Sequence, residues 1–202
     1  MRTYVESNFV LELAYEQEEA RDCRRIMEIC MGGESPLVVP AFSLAEPHFA
    51  FQKRAGNRKA VTEAYSREMR ELRRGPLSSD VSDALTTVAA YLATTVAEED
   101  ASVKSAIASV AACAEVIPLD RAVLDAAARL YSTTPLKPAD AIVLASVQID
   151  LDRHQGATSL FLNRNTRDFG DDPDVVELLR SRGCRLLGSF RAGARLLESG
   201  QA

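Results

Sequence analysis

The sequence predicts an α/β protein: a three-layer α/β/α fold around a parallel sheet of about five strands, with an inserted helical segment. Short apolar runs rich in β-branched residues alternate with longer amphipathic stretches, the pattern of parallel strands joined by helical crossovers. The length of 202 residues suits one domain, and 47% hydrophobic residues can form a substantial core.

The first two strands lie near the N-terminus. Residues 2–6, with Thr3, Tyr4 and Val5 at their centre, predict a short buried strand, and helices are expected over 8–15 and 17–31. A Gly-Gly pair ends the second of these helices. The Leu-Val-Val run within 36–40 predicts the second strand.

The middle of the chain is predicted to be helical. Ser43 is the expected N-cap of one helix, and Gly56-Asn57 predicts a break before the next. After a Gly-Pro stop, apolar residues recur at spacings of four, three, four and four, which places them on one helical face: Val81, Leu85, Val88, Leu92 and Val96. A further helix is expected to begin at Asp100 or Ser102.

Three more strands follow the inserted helices, at 115–119, 159–162 and 185–187. Asp120 is the expected cap of the helix after the third strand, and Asp172 opens another helix with proline in the favoured first position. Further helices are expected over 139–151 and 191–197. Residues 1–190 are therefore predicted to form one domain with an insertion at about 58–112, followed by a C-terminal helix or tail at 191–202.

The net charge of −5 argues against a protein that coats nucleic acid indiscriminately. The charge is uneven, because eight basic side chains and three glutamates lie between Lys53 and Arg74, a net +5 there and −10 elsewhere. A basic face of this kind can grip phosphates. A solvated helix face with ion pairs four residues apart explains it slightly better.

Other sequence features suggest an intracellular chain. No apolar run approaches the roughly 20 residues that span a membrane. The N-terminus enters a strand pattern at once, without the layout of a signal peptide, so a cytoplasmic location is expected. The four cysteines form no C-x-x-C pair and are expected to be reduced thiols, while His48 and His154 are expected to be surface or packing residues.

Four acidic motifs spread along the chain are its most informative feature. Each follows a predicted strand or begins a helix: Glu6-Ser7-Asn8, Ser43-Leu44-Ala45-Glu46, Ala139-Asp140-Ala141 and Asn163-Arg164-Asn165-Thr166-Arg167-Asp168-Phe169. Because the carboxyl ends of parallel strands meet at one edge of a sheet, carboxylates far apart in sequence can lie together there. A carboxylate cluster without a Cys or His pattern suits Mg²⁺ or Mn²⁺. Such an ion activates water and polarises a phosphoryl oxygen, so the motifs predict a metal-dependent nuclease.

In this order and with these flanks, the motifs resemble those of the PIN domains, which include the VapC-like ribonuclease toxins. The Ala-Asp-Ala element before an apolar helix and the acidic element that ends in Asp-Phe after the fourth strand are the most specific. The resemblance covers about 1–56 and 114–190. It implies a three-layer α/β/α fold and Mg²⁺- or Mn²⁺-dependent hydrolysis of RNA by a metal-activated water. It also suggests a toxin role, an antitoxin-like protein partner and a homodimer.

The resemblance implies a set of metal ligands by position: Glu6, Glu46, Asp140, Asn165 and Asp168. The four carboxylates among them are the predicted catalytic residues, and Ser7 and Asn8 would steady Glu6. The predicted contacts to RNA phosphates are four basic residues: Lys53, Arg54, Arg164 and Arg167.

Three features depart from the family pattern. Glu6 stands where the family usually has Asp, and Mg²⁺ tolerates little geometric error. Asn163 replaces the usual Thr or Ser, and the helices at about 58–112 are longer than a compact toxin needs. The insertion is expected to be a substrate arm, a dimer surface or a docking place for an antitoxin-like partner. The Ala-rich helices at 80–112 are a candidate dimer interface, and packing within the domain explains their composition equally well.

Several alternatives stay open. Each motif alone also fits ordinary helix capping or a solvated strand end. Glu6 and Asn163 are compatible with a catalytically weakened PIN-like module that binds RNA or a protein partner. A third possibility is a different carboxylate enzyme, such as a phosphatase or phospho-receiver, but no Asp-x-Asp follows the first strand and the P-loop motif is absent from the sequence.

Overall fold

A computed structural model of the chain describes residues 1–33, 35–75, 79–164 and 169–200. The strands in this part, in chain order, are β1 (Arg2–Val5), β2 (Leu37–Pro40), β3 (Glu115–Ile117), β4 (Ser159–Leu162) and β5 (Cys184–Leu187). The helices, also in chain order, are α1 (Ser7–Ala14), α2 (Ala20–Met31), α3 (Ala41–Leu72), α4 (Ser79–Cys113), α5 (Arg121–Thr133), α6 (Pro138–Arg153), α7 (Pro173–Arg180) and α8 (Phe190–Ser199).

The five strands form one sheet in the order β3-β2-β1-β4-β5, and every neighbouring pair is parallel. This confirms the predicted α/β class and the parallel sheet of five strands. The central strand is β1, in which Tyr4 is in register with Val38 of β2 and Val5 with Leu162 of β4. The strands β1, β2 and β4 are buried along their whole length, as expected for a sheet covered on both faces.

Helices pack on both faces of the sheet, and each face has its own apolar cluster. Successive strand residues point to opposite faces, so Tyr4 and Phe161 join one cluster with α5, α6 and α7. Val5 and Leu162 join the other cluster, which contains residues of α1, α2 and α8 together with the neighbouring parts of α3 and α4. The carboxyl ends of the strands lie between these two helical layers.

Of three helix N-caps predicted from the sequence, two are observed and one is not. The Asp120 side chain accepts a hydrogen bond from the Val123 N–H at 3.0 Å, and Asp172 accepts one from the Asp174 N–H at 2.9 Å, which confirms both predicted caps. The prediction that Ser43 is an N-cap was wrong. The helix begins two residues earlier, after Pro40, so Ser43 lies within its first turn and is fully buried.

The two long helices also differ from the prediction. Gly56-Asn57 does not end a helix, because α3 continues to Leu72, and no new helix begins at Asp100 or Ser102, because α4 is continuous. A glycine in a helix interior costs only about 1 kcal/mol, and the antiparallel packing of α3 on α4 outweighs it. Although both helices are long, none in the described part of the chain is apolar enough to cross a membrane.

The cysteines agree with the prediction of free thiols, and all four are unpaired. Burial raises the pKa of the Cys30 thiol to about 11 and that of Cys184 to about 12. The thiols therefore stay protonated at neutral pH and act as apolar packing groups.

Candidate metal and active site

A crevice lies between the carboxyl ends of β1 and β4, the two neighbouring strands from which the chain continues to opposite sides of the sheet. From β1 the chain continues to β2 on one side, whereas β4 lies on the other side of β1. Ligands bind in open parallel sheets at such a switch point. Because Val5 is in register with Leu162, Glu6 and Asn163 follow two neighbouring strand ends at the same level.

Glu6 is held at this edge by its two successors in the chain. It is the N-cap residue of α1, and its Oε2 atom accepts a hydrogen bond from the Asn8 backbone N–H at 3.0 Å. The Ser7 hydroxyl donates to the same oxygen at 2.8 Å. Ser7 and Asn8 thus steady Glu6, as the sequence predicted.

The second carboxylate oxygen of Glu6 is unusual. Glu6 is only 5% exposed, and its Oε1 atom is buried with no hydrogen-bond partner among the described residues. Burial, followed by the nearby charge of Glu46, raises the pKa of Glu6 to about 7 against the hydrogen bonds from Asn8 and Ser7, which lower it. A buried carboxylate that stays ionised is stabilised by a hydrogen-bond donor or by a cation.

Glu46 is the second carboxylate that the structure brings to this edge. It lies in the second turn of α3, is half-buried, and is close enough to Glu6 for the two charges to repel each other. Ser43 lies one turn earlier, and its hydroxyl is buried without a hydrogen-bond partner in the described part of the chain. The end of β2 therefore supplies a carboxylate and an unsatisfied hydroxyl beside the crevice.

Asp140 lies in the first turn of α6 and is half-buried. At the other end of this helix, Asp150 accepts a hydrogen bond from the Tyr4 hydroxyl of β1 at 2.8 Å. Asp140 lies ten residues before Asp150, a distance of about 15 Å along the helix axis. The first turn of α6 therefore lies towards the carboxyl edge of the sheet. Asp140 shares its helical stripe with Leu144 and Val147, which are buried in the core, so it belongs to the face of α6 that covers the sheet.

The remaining predicted ligands, Asn165 and Asp168, and the predicted phosphate contact Arg167 lie outside the described residues. Within the described ranges, no group of three or more His, Cys, Asp or Glu side chains is arranged to hold a metal ion. Two carboxylates, Glu6 and Glu46, lie near enough for their charges to interact. Mg²⁺ is commonly bound through one or two carboxylates with water completing its shell, so this donor set fits the predicted ion.

Arg164 follows Asn163 and is anchored by a buried acid that the sequence analysis did not single out. Its Nη1 atom lies 3.0 and 2.9 Å from the two carboxylate oxygens of Glu12, which is 1% exposed. Arg164 remains partly exposed beside a polar cavity of about 330 Å³ lined by Asn8, Glu12, Gln17 and Arg164 itself. The pairing of Glu12 could have been inferred from the sequence, because Glu12 lies beside Phe9 on the apolar face of α1 and a charged residue on such a face is usually paired.

The other two predicted phosphate contacts lie on α3. Lys53 and Arg54 follow Glu46 by seven and eight residues, which is about two turns along the same side of the helix. The Arg54 guanidinium lies over the Tyr15 ring, 4.1 Å from its centroid, and so is engaged in a cation–π contact. Lys53 is exposed.

A second cavity lies beside Asn163, along β5. It measures about 460 Å³ and has mostly apolar walls, with Phe169, Val176 and Leu186 among its lining residues. Arg180 and Arg185 also line it. The carboxylate crevice is therefore adjacent to one polar cavity and one apolar cavity.

A comparison of the chain with protein-family models finds no match, and no curated protein matches it. The resemblance to the PIN domains therefore remains a prediction from the motifs.

Proposed function

We propose that this chain is a metal-dependent ribonuclease of the PIN-like type, which hydrolyses phosphodiester bonds of RNA. The observation that supports this most strongly is the Glu6 carboxylate, buried at the end of the central strand, with one oxygen that has no partner among the described residues and a second carboxylate nearby. Two carboxylates that repel each other in a crevice are suited to a divalent cation.

The described residues divide into two roles in this proposal. Glu6 and Glu46 hold the cation, and Asp140 lies at the same edge of the sheet without forming a group of three with them in the described structure. When bound, Mg²⁺ or Mn²⁺ supplies Lewis-acid chemistry, lowering the pKa of water and neutralising charge on the phosphoryl group. Arg164, fixed in place by Glu12, orients a phosphate oxygen, and Lys53 attracts the next part of the backbone by its charge.

RNA is the proposed substrate because the crevice adjoins both polar and apolar cavities. The apolar cavity beside Asn163 suits a nucleobase, and its two arginines suit the neighbouring phosphates. The net charge of −5 is compatible with this substrate because the basic residues are concentrated along α3.

The direct test is cleavage of a mixed pool of structured and single-stranded RNA with Mg²⁺ or Mn²⁺. We expect the parent protein to cut and the Asp140→Asn variant to lose at least about 100-fold in rate, the range seen when an electrostatic group of an active site is removed. Asp174→Asn is the matched control, because Asp174 also lies in the first turn of a helix that opens with proline but is exposed and belongs to none of the four motifs.

The outcome is decisive in either direction. Cleavage by the parent and by Asp174→Asn, but not by Asp140→Asn, supports a carboxylate–metal nuclease. Equal cleavage by all three proteins points to a contaminating ribonuclease, and no cleavage by any of them contradicts the proposed activity.

Glu6 favours a second candidate function, binding of RNA or a protein partner without cleavage. Its extra methylene moves the carboxylate outwards compared with Asp, and Mg²⁺ geometry is strict. If the parent retains RNA on a filter without cutting it, while Glu6→Asp cuts, the chain is a binding module on a nuclease-type fold.

A further inference from the structure

The helix α3 leads away from the sheet on the side of the candidate site. It begins directly after Pro40, at the carboxyl end of β2, where Glu46 lies near Glu6. The helix α4 runs antiparallel to it and ends at Cys113, immediately before β3, so α4 runs towards the amino edge of the sheet. The outer part of α3 therefore extends beyond the carboxyl edge, at which the candidate metal ligands lie.

Contacts with α4 fix which side of α3 is turned inwards. The Tyr65 hydroxyl donates to the Leu85 carbonyl at 2.9 Å, and Met69 is buried. Arg67 lies two residues from both Tyr65 and Met69 and points to the opposite side, because two residues turn a helix by about 200°. We call this solvent-facing side of α3 the outer face. It includes these exposed residues: Lys53, Gly56, Lys59, Ala60, Glu63, Arg67, Arg70, Glu71 and Arg74.

The outer face is positively charged, with five basic and two acidic side chains, a net +3. In the described part of the chain, Arg74 is the only one of the five in an ion pair, with Glu71 three residues before it. The alternative of ion pairs four residues apart, such as Glu63 with Arg67, is not observed among these residues. The other four basic side chains keep their charges available to a partner.

The basic residues of α3 that point elsewhere are already engaged. Arg58 binds Glu99 at 2.7 Å, and the Arg73 guanidinium donates to the Thr86 hydroxyl at 2.9 Å. Arg54 lies over the Tyr15 ring. The available positive charge of this run is therefore concentrated on one face, the arrangement that a phosphate backbone requires.

The side chains of the outer face indicate a double-stranded stem of RNA. Gly56 and Ala60 lie between basic residues and let a sugar–phosphate backbone come close to the helix. None of the residues of the outer face given above is aromatic, so unpaired bases have no ring there on which to stack. Double-stranded RNA is recognised mainly through its phosphates and its shape, which suits a straight row of cations.

The length of the outer face sets the length of the stem. Arg67 follows Glu46 by 21 residues, which is about 32 Å along α3. At roughly 3 Å per base pair, a stem of about ten base pairs covers this distance.

We propose that the outer face of α3 binds the phosphates of a double-stranded RNA stem next to the bond that is cut. The substrate is then a structured RNA, with its stem along α3 and the segment to be cut in the crevice at Glu6. This inference rests on the proposed function, because the crevice gives the stem its position. RNA is favoured over an acidic protein partner, because the outer face lacks, among the residues given above, the large apolar side chains that form the centre of a protein interface.

The test is binding of labelled RNA measured by fluorescence anisotropy in EDTA, where no cation-dependent cleavage occurs. We expect the parent to bind a hairpin with a stem of about twelve base pairs at least about tenfold more tightly than an unstructured RNA of the same length. Arg67→Glu/Arg70→Glu should weaken hairpin binding at least about tenfold. It should also make the dependence of log affinity on log salt less steep by about two, since two phosphate contacts are lost.

Arg129→Glu/Arg195→Glu is the matched control, because both arginines are exposed on other helices, α5 and α8, and the change in net charge is the same. We expect this control to bind the hairpin like the parent. Arg67→Lys/Arg70→Lys keeps the charges of the outer face and should retain most of the affinity. Circular dichroism checks that all the variants keep their helices.

The proposal is overturned if the parent binds both RNAs equally, or if Arg67→Glu/Arg70→Glu binds the hairpin as well as the control does. Failure of the proposed cleavage is a separate result, because binding is measured without the cation. A chain that holds the hairpin through Arg67 and Arg70 but does not cut RNA with Mg²⁺ or Mn²⁺ supports this surface and contradicts the nuclease activity alone.

Discussion

Glu6 shows how one residue couples proton binding, cation binding and stability. Burial and the charge of Glu46 raise its pKa from 4.5 to about 7. Between these values the folded chain keeps a proton that the unfolded chain has released. The contribution of Glu6 to the free energy of unfolding is therefore complete below pH 4.5 and is lost as the pH rises to about 7.

The first prediction concerns this pH dependence. Between about pH 5 and about pH 8, the parent should lose a few kcal/mol of unfolding free energy relative to Glu6→Gln, at about 1.4 kcal/mol per pKa unit. Millimolar Mg²⁺ or Mn²⁺ should stabilise the parent at about pH 8 and much less at about pH 5, where the proton competes with the ion. Urea unfolding at both pH values, with and without the ion, measures both effects.

Glu63→Gln, which alters an exposed glutamate of α3, is the control and should follow the parent at every pH. If Glu6→Gln also follows the parent, the Glu6 carboxyl is not the group that titrates. If the ion stabilises Glu6→Gln as strongly as the parent, it binds elsewhere on the chain.

At the scale of the elements, α6 is anchored to the sheet by an ionic network at the edge opposite the candidate site. The Asp150 Oδ2 atom accepts hydrogen bonds from the Tyr4 hydroxyl at 2.8 Å and from the Arg2 Nε at 3.0 Å. Arg2 also pairs with Glu115 of β3 at 2.6 Å. Because Arg2 and Asp150 are buried, this network sets the position of α6, and with it the height of Asp140 above the sheet.

Removing the Asp150 carboxylate from this network should destabilise the folded protein. We expect Asp150→Ala to lower the free energy of unfolding by about 3–5 kcal/mol, because it leaves the buried Arg2 guanidinium with one partner fewer. Tyr4→Phe removes a single hydrogen bond and should cost about 1 kcal/mol. Urea unfolding measures both values, with Asp152→Ala as the control on the same helix.

The control removes an exposed pair, since Asp152 contacts Arg182 at the surface, and should cost at most about 1 kcal/mol. A loss for Asp150→Ala no larger than that of Asp152→Ala would show that the network does not hold α6 in place.

The elements also show which kinds of structure the sequence could predict. The five strands and the caps at Asp120 and Asp172 follow from patterns within a few residues, and all of them are observed. The break expected at Gly56-Asn57 failed because a weak local preference was outweighed by packing against a helix distant in sequence. The pair between Glu12 and Arg164 joins positions 152 residues apart, a separation at which no local pattern operates.

For the candidate site, as for the fold, the sequence predicts the features that depend on local patterns and not those that depend on packing. Placement of Glu6 and Glu46 at the carboxyl edge follows from strand ends, which a single sequence indicates well. In the described part of the chain, the Glu6 Oε1 atom and the Ser43 hydroxyl are buried without a hydrogen-bond partner, and this depends on how neighbouring elements pack around them, which a single sequence does not indicate. The packing of the neighbouring elements also decides whether a carboxylate is a solvent-exposed helix cap or a metal ligand.

At the scale of the whole molecule, the chain divides into a layered body and an outer pair of antiparallel helix ends, residues 56–75 of α3 and 79–95 of α4, which we call the arm. Both core clusters are built from the sheet and the helices that cover it, and the inner part of the α3–α4 pair belongs to that body. Arg58 marks the boundary, since it pairs with Glu99 at 2.7 Å and donates to the Thr95 hydroxyl at 3.1 Å. Beyond Arg58 the two helices contact mainly each other and solvent.

This division predicts that the body folds without most of the arm. Replacing residues 61–92 by a Gly/Ser linker of about five residues, enough to span the roughly 10 Å between packed helix axes, keeps Arg58 and its partners. We expect the shortened protein to unfold cooperatively, with an unfolding free energy within about 2 kcal/mol of the parent, because few core contacts are removed. It should keep any cation-dependent stabilisation through Glu6. A shortened protein that is unfolded under conditions where the parent is folded would show that the arm is part of the cooperative core.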